Sequence, residues 1–460
     1  MPEFAQLIES LGRTLPPGTV LSAGDAGPRH HADWTRVNPC APRAVCRPHS
    51  TAEVATILRA CHAAGQPVVV QGGLTGLAGG ATPREGELAL SLERLSGVEE
   101  VDPDGGTMRV RAGTRLATVH EAAEREGLQF SLDLGARGSC MIGGNIATNA
   151  GGNRVIRYGM TRELVLGLEA VLADGTVVSS LNTMLKNNAG YDLKQLFVGT
   201  EGTLGVVTRA VLRLHPAPRE RITAFAATDS FAALVALMRE ARAAFAGQLG
   251  SFETMWRNYF DFALAELKVG ARPFDQPHAH YALIEIEALE PAADAERLEA
   301  FLGRMLESGV AADALIARSL DESAKLWRIR ESAGELMMHL GMPMAYDVSL
   351  PIQKMTAYLE QLDAGLPAVL GDRPLYTFGH LGDGNLHLVT GLRSLAEVEP
   401  LDRLVYGALD GFGSVSAEHG IGVIKRKWLS RSRGPAELAL MRTLKSALDP
   451  RDILNRGRVL

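Results

Sequence analysis

The sequence predicts an α+β protein built from more than one domain, and three observations carry that expectation. At 460 residues the chain exceeds one ordinary hydrophobic core. Of its 49 glycines 24 lie between Gly72 and Gly205, in bunches, and glycines clustered inside a globular chain mark backbone brought close to a ligand. Between residues 222 and 306 the pattern reads strand, helix, strand, strand, helix, which suits an antiparallel sheet with helices on one face.

Composition narrows the class. Hydrophobic residues make up 46% and charged residues 22%, the balance of a soluble globular protein. The formal net charge is -6 with no long run of one sign. Nucleic acid is therefore excluded as a partner, since it needs clustered Lys and Arg. The first 15 residues read as a short amphipathic helix carrying Glu3 and Glu9, without the basic start and apolar run of a secretory signal. No stretch of about 18 apolar residues offers a transmembrane segment. Cys40, Cys46, Cys61 and Cys140 show no Cys-x-x-Cys spacing, so they read as free thiols of a cytoplasmic protein.

The elements follow in order. Ser50 and Thr51 can cap a helix over residues 52–64, which Gly65 stops, and Val68-Val69-Val70 is a buried strand. Gly72-Gly73-Leu74-Thr75-Gly76-Leu77-Ala78-Gly79-Gly80 must then be a loop. Short strands are expected at 88–92 and 108–112, with a helix over 116–126. A second glycine-rich region spans 132–159. Strand 166–172 and the turn Ala173-Asp174-Gly175-Thr176 form a hairpin, and residues 202–208 lead into another strand. Composition changes at Pro216-Ala217-Pro218, the first domain boundary. Beyond it come strand 222–227, helix 231–245, strands 252–255 and 281–288, and helix 292–306. Helical segments continue to about residue 340, before strand 345–349 and a histidine-bearing segment at 378–388. The tail is a helix ending near Asp449-Pro450, then an extended strip.

A diphosphate needs many donors at close range, which successive backbone N–H groups of a turn-rich loop supply. Residues 72–80 meet that need, with Thr75 as an added hydroxyl, although the same run would also serve as a structural turn. It is neither a P-loop nor a spaced Rossmann fingerprint. The second region reads Leu132-Asp133-Leu134-Gly135-Ala136-Arg137-Gly138-Ser139-Cys140, then Met141-Ile142-Gly143-Gly144-Asn145-Ile146-Ala147-Thr148-Asn149-Ala150-Gly151-Gly152. Glycines among Asn, Ser and Thr combine close approach with side-chain hydrogen bonds, as a broad polar heterocycle requires.

A third signal is Gly379-His380-Leu381-Gly382-Asp383-Gly384-Asn385-Leu386-His387-Leu388, with Ser416-Ala417-Glu418-His419-Gly420 downstream. Two histidines and a carboxylate make a common open metal set. A lone histidine is more often a hydrogen-bonded core or surface residue, but three of twelve gathered in two glycine-flanked segments shift the balance toward a ligand role. Alone, this signal would also fit a metal-dependent hydrolase.

These segments resemble those of the vanillyl-alcohol oxidase and p-cresol methylhydroxylase flavoproteins, and within them the FAD-dependent D-2-hydroxy-acid dehydrogenases, which include D-lactate and D-2-hydroxyglutarate dehydrogenases. Further matches are Arg157-Tyr158-Gly159, Leu172-Ala173-Asp174-Gly175-Thr176, Gly190-Tyr191-Asp192-Leu193 and Gly199-Thr200-Glu201-Gly202-Thr203-Leu204-Gly205. The resemblance implies a two-subdomain FAD-binding domain over residues 1–216, an antiparallel-sheet substrate and metal domain with flanking helices over 217–420, and a segment over 421–460 that returns to the FAD domain. It places the pyrophosphate at Gly72, Gly73, Leu74, Thr75 and Gly76. The ring system falls along Gly143, Gly144, Asn145, Thr148, Asn149, Gly151 and Gly152, with Gly135 and Ser139 as further cofactor contacts, Gly202 to Val207 at the cofactor's other end and Asn455 on the flavin side. No histidine stands in these loops to tether a flavin, so noncovalent FAD is expected.

The same resemblance implies a divalent metal, zinc or manganese, on His380, His387 and Glu418. His419 is the implied base and Arg330 the partner of the substrate carboxylate. By sequence alone, Arg330 or its neighbour Arg328 could equally be a solvated helix charge. The implied reaction oxidises a D-2-hydroxy acid to the 2-oxo acid by hydride transfer to flavin N5, with an electron-transfer flavoprotein or a quinone as electron acceptor. The sequence leaves monomer and homodimer open.

Three departures bear on the substrate. Ala345 stands where the family often has Lys, Val389 where dicarboxylate-oxidising members commonly have Asn, and Gly334 where some have a hydroxyl residue. Each removes a polar group that could hold a distal carboxylate, so a D-lactate-like monocarboxylate with an apolar side chain is expected. D-2-hydroxyglutarate or D-malate is the alternative substrate, and a noncatalytic FAD-binding subunit of a larger oxidase complex is the alternative class. Arg456 also replaces a proline of the family's C-terminal turn.

Overall fold

The structure, a computed structural model, describes residues 2–460, with side chains from Phe4 onward. The chain divides into two units. The first holds residues up to Gly152, Tyr158–Ala217 and Glu418–Leu460; the second holds Asn153–Arg157 and Pro218–Ala417.

The first unit begins with helix Pro2–Thr14, which buries Leu7 and Leu11. Met1, where that helix was expected to begin, lies outside the described residues. In helix Thr51–Ala64 the Ser50 hydroxyl accepts the Glu53 N–H, and Gly65 closes the last turn at φ 62°. The apolar stripe Val54, Ile57, Leu58 and Cys61 is fully buried. Strand Val68–Gln71 runs parallel to Leu88–Ser91, which runs parallel to Ala44–Cys46; Val20–Ser22 adds an antiparallel edge. A second sheet is antiparallel, in the order Val98–Asp102, Thr107–Arg111, Val206–Arg213, Val165–Val171, Val177–Ser180. Its last pair is the expected hairpin, with Asp174 accepting the Thr176 N–H (2.8 Å) and Gly175 at φ 85°. Residues of both sheets and of helix Leu116–Glu124 share one apolar core.

The chain's end differs from the extended strip expected. After helix Pro435–Leu448 it coils through left-handed residues, Asp452 at φ 49°, Asn455 at φ 43° and Val459 at φ 68°. Between them Leu454 bridges Val68 in parallel, so the tail closes the exposed edge of the first sheet.

The second unit is built on a seven-stranded antiparallel sheet. Its order is Asp313–Ile316, Glu220–Thr228, His280–Ala288, Leu249–Trp256, Tyr376–His380, Asn385–Gly391, Pro343–Ser349. All nine residues of His280–Ala288 are buried, which a sheet covered on one side would not allow. The expectation of helices on one face is therefore corrected: helices cover both. Helices Arg257–Ala265 and Leu320–Arg330 share an apolar cluster with Phe225, Met255 and Tyr281. Helices Phe231–Phe245 and Pro291–Glu307 pack against the same central strands. Among the elements not foreseen in this unit are helix Arg257–Ala265, strand Asp313–Ile316, helix Val398–Gly407, and helix Ile352–Leu370, which holds Pro367 in its last turn.

Cys40, Cys46, Cys61 and Cys140 form no disulfide. Burial pushes the Cys46 thiol up to about 12, which leaves it inert. Among the described residues no helix is long and apolar enough to cross a membrane.

Candidate active site

The first glycine segment leaves the C-terminal end of strand Val68–Gln71 and meets the second at once. A Cβ on Gly72 would lie 3.7 Å from the Gly144 backbone, and one on Gly73 would collide with the Ser139 carbonyl. Leu74 adopts φ 60°, a left-handed conformation that costs about 1 kcal/mol or more in a non-glycine residue. Thr75 and Gly76 follow, half-buried. The space beside Gly144 is open, whereas a Cβ on Gly143 would lie 2.7 Å from that of Ala112. Gly135 and Ser139 are exposed, and Gly151 and Gly152 are buried.

Asn145 shows what this cradle lacks. Its amide nitrogen reaches Cys140 Sγ (3.6 Å), while its carbonyl oxygen is buried with no hydrogen-bond partner. An orphaned buried acceptor costs about 1–3 kcal/mol, and a ligand N–H would recover it. The residues thus fit a flat polar heterocycle lying over Gly144. Thr148 turns its hydroxyl back to the Gly144 carbonyl (3.1 Å), and Asn149 caps the short helix Ile142–Thr148 at φ 52° while accepting the Arg162 N–H (2.9 Å).

Two expected contacts are placed differently. The Val207 side chain is buried in the apolar core, so only its backbone could face a ligand. Both ends of the Asn455 amide are engaged by the chain: Oδ1 accepts the Val70 N–H (2.8 Å), and Nδ2 donates to the Glu201 carbonyl. Asn455 braces the strand that leads into the first glycine loop. Gly202, at φ 73°, gives it room, since a Cβ there would come within 3.1 Å of that amide.

The histidines owe their convergence to strand pairing. Strand Tyr376–His380 turns through Leu381–Asp383 and Gly384 (φ 84°) into Asn385–Gly391. His380 pairs with Asn385 and Phe378 with His387. In a strand, residues two apart share a face, so both imidazoles rise from the same side, with ring centroids 5.4 Å apart. The two imidazoles thus fit a divalent cation that takes its remaining ligands from other residues. Glu418 and His419 follow in the chain directly after the second unit ends at Ala417.

Glu253, on the neighbouring strand, is a participant the sequence did not reveal. It is 1% exposed at its side chain and sits 2.7 Å from His380 Nδ1 and 2.7 Å from Arg330 Nη2, one oxygen to each. Burial pushes its carboxyl up, but His380 and Arg330 outweigh that and hold it below the usual glutamate range. A carboxylate on Nδ1 fixes the ring's tautomer and leaves Nε2 for a metal. Asp347 is equally hidden: it accepts from Asn385 Nδ2 (2.9 Å) and Ser416 Oγ (3.2 Å) and lies 4.0 Å from His387 Nδ1. Burial, partly opposed by His380, pushes Asp383 up to about 6. No motif flagged Glu253 or Asp347, because the strands that carry them join the site only through sheet order.

Arg330 ends helix Leu320–Arg330 and is buried, its Nη2 3.4 Å from His380 Nε2 and its Nε without a hydrogen-bond partner. Arg328 turns away and pairs with Glu335 through both terminal nitrogens (2.9 and 2.8 Å). Ala345 and Val389 face one another across paired strands. Val389 is buried in the same apolar cluster as Phe378 and Tyr376, against which Ala345 packs, and nothing stands within 4 Å of a Cβ built on Gly334.

Residues 42–180 match an FAD binding domain and residues 217–459 match the C-terminal domain of FAD linked oxidases. A D-2-hydroxyglutarate dehydrogenase of Xanthomonas citri pv. viticola is 40% identical over 96% of this chain and 94% of its own. The mitochondrial D-2-hydroxyglutarate dehydrogenase of Bos taurus is also 40% identical, over 96% of this chain and 81% of its own. The crystal structure of p-cresol methylhydroxylase shares the fold, with a TM-score of 0.79 at 16% identity over 100% of this chain and 97% of that one. With a glycine cradle suited to a flavin and full-length relatives of one kind, the chain belongs to the FAD-dependent D-2-hydroxy-acid dehydrogenase family and is an oxidoreductase.

Proposed function

We propose that the chain oxidises a D-2-hydroxy acid to the 2-oxo acid, with noncovalent FAD in the glycine cradle and a divalent cation, zinc or manganese, on His380, His387 and Glu418. Two imidazoles raised from one face of the sheet beside a buried arginine carry the reading. When bound, the cation lowers the pKa of the substrate hydroxyl and the flavin takes up the two electrons released at C2. Arg330 orients the substrate by pairing with its carboxylate through the edge that Glu253 leaves free. Glu253 keeps His380 Nδ1 engaged and so aims Nε2 at the cation. His419, next to Glu418 in the chain, accepts the hydroxyl proton at an imidazole nitrogen, a role suited to a histidine.

Two readings of the substrate's far end have separate support. Ala345, Val389 and the open space at Gly334 favour an apolar side chain, as in D-lactate. Leaving a second carboxylate unpaired beside them would cost roughly 3–5 kcal/mol, by analogy with broken buried ion pairs. The names of the relatives favour D-2-hydroxyglutarate. The test is anaerobic bleaching of the flavin by D- and L-lactate, D-2-hydroxyisovalerate, D-malate and D-2-hydroxyglutarate, with and without a chelator. Bleaching by D-acids alone, lost on chelation, is expected; bleaching that survives chelation would remove the metal from the scheme. A strong preference for either diacid would decide for the second reading, and no bleaching by any acid would leave only a noncatalytic FAD-binding subunit.

A further inference from the structure

Glu201 lies in the Gly-Thr-Glu-Gly-Thr run, and the chemistry above gives it no role. It adopts φ 53°, a left-handed conformation that a non-glycine residue holds only when its surroundings impose it. Hydrogen bonds to four neighbours do so. Its N–H donates to the Ala147 carbonyl (2.7 Å), in the helix that carries Gly143, Gly144 and Asn145. Its carbonyl accepts from Asn455 Nδ2. Its carboxylate oxygens each accept a backbone N–H, from Ile421 at 2.6 Å and from Gly422 at 2.8 Å.

Those two amides immediately follow Glu418-His419-Gly420. The same loop rests on the first glycine segment: the Val423 and Ile424 N–H groups both donate to the Ala78 carbonyl (3.0 and 3.2 Å). Fit is close throughout. A Cβ on Gly420 (φ 80°) would come within 2.9 Å of the Glu201 carboxylate, and one on Gly80 within 3.2 Å. Burial pushes the Glu201 carboxyl up, against the pull of the two N–H groups and Lys425.

We propose that Glu201 is a positioning residue that clips the Glu418-His419 loop to the flavin cradle, so that the metal ligand and the base are held in register with the helix that seats the ring. The inference rests on the roles proposed above for Glu418 and His419. An amide at this position keeps the shape but offers one oxygen where two N–H groups require one each, and an aspartate falls a methylene short.

The test uses FAD-loaded protein. Glu201→Gln is expected to retain stoichiometric flavin and an unchanged visible spectrum, to weaken Mn²⁺ binding by about tenfold or more, and to lower kcat while leaving KM for the hydroxy acid within about threefold. Glu201→Asp should move the same quantities in the same direction. Hydrogen exchange on the wild-type holoenzyme needs no variant: the amides of Ile421 and Gly422 should be among the slowest of residues 416–426. A Glu201→Gln protein with Mn²⁺ affinity and kcat within twofold of wild type would overturn the proposal, and so would exchange at those two amides as fast as in exposed loops. A wild-type protein that binds no Mn²⁺ or Zn²⁺ would instead overturn the metal reading and leave hydrogen exchange to judge Glu201.

Discussion

Removing the Glu253 carboxylate should separate two effects that the structure superimposes. One oxygen holds His380 Nδ1 and the other holds Arg330, both at 2.7 Å, in a place where the glutamate and both partners are at most 7% exposed at their side chains. In Glu253→Ala the arginine is left as a buried charge without its partner, which costs about 3–5 kcal/mol. His380 loses the acceptor that fixes its tautomer, and such losses typically weaken metal binding 10–100-fold, or about 1.4–2.7 kcal/mol. In Glu253→Gln the amide oxygen can still accept from His380, so metal affinity should fall less, while most of the charge penalty at Arg330 remains. The double variant Glu253→Met/Arg330→Met removes both charges and should recover most of the lost stability, since replacing a buried pair with apolar groups is often neutral. Urea unfolding of the metal-free protein and calorimetric titration with Mn²⁺ measure the two effects. If Glu253→Ala costs less than about 1 kcal/mol and leaves Mn²⁺ affinity within twofold, Glu253 does neither job. If the double variant is as unstable as the sum of the single ones, the ion pair is not what the alanine variant lost.

Other outcomes follow from single residues. Burial lowers His280 from 6.5 to about 4, and its Nδ1 has no hydrogen-bond partner. The unfolded chain therefore takes up this proton first as pH falls, so stability present above pH 6.5 is lost between 6.5 and 4. His280→Phe should gain about 2.5 kcal/mol relative to wild type on going from pH 7.5 to 4.5, read from paired urea titrations; a constant difference across that range would contradict the burial argument. Because the Asn145 carbonyl oxygen is unsatisfied without ligand, Asn145→Ala should weaken FAD by about tenfold without lowering the stability of the apoprotein, and equal losses in both would mean the amide serves the fold alone. Ala345→Lys places a cation beside Val389 and should raise kcat/KM for D-2-hydroxyglutarate over that for D-lactate by about tenfold or more; an unchanged ratio would move the substrate's far end elsewhere.

Local elements were legible in the sequence because short-range signals fix them. Helix Thr51–Ala64 starts where a serine can cap it and ends where glycine can turn left-handed, and helix Phe231–Phe245 occupies the predicted residues. Glycine runs likewise report backbone approach, as the near contact of Gly72 and Gly73 with Gly144 and Ser139 shows. Relations set by distant pairing were not legible. Glu253 lies 127 residues from the histidine it orients, and only sheet order makes them neighbours. Asp347 reaches His387 in the same way, through register. Glu201 stood in plain view as part of a motif, yet its carboxylate meets backbone N–H groups about 220 residues away, and any residue type supplies such groups. The choice between Arg328 and Arg330 followed the same rule: two residues apart on one helix, they differ in what lies beyond the helix surface, and only packing determines that.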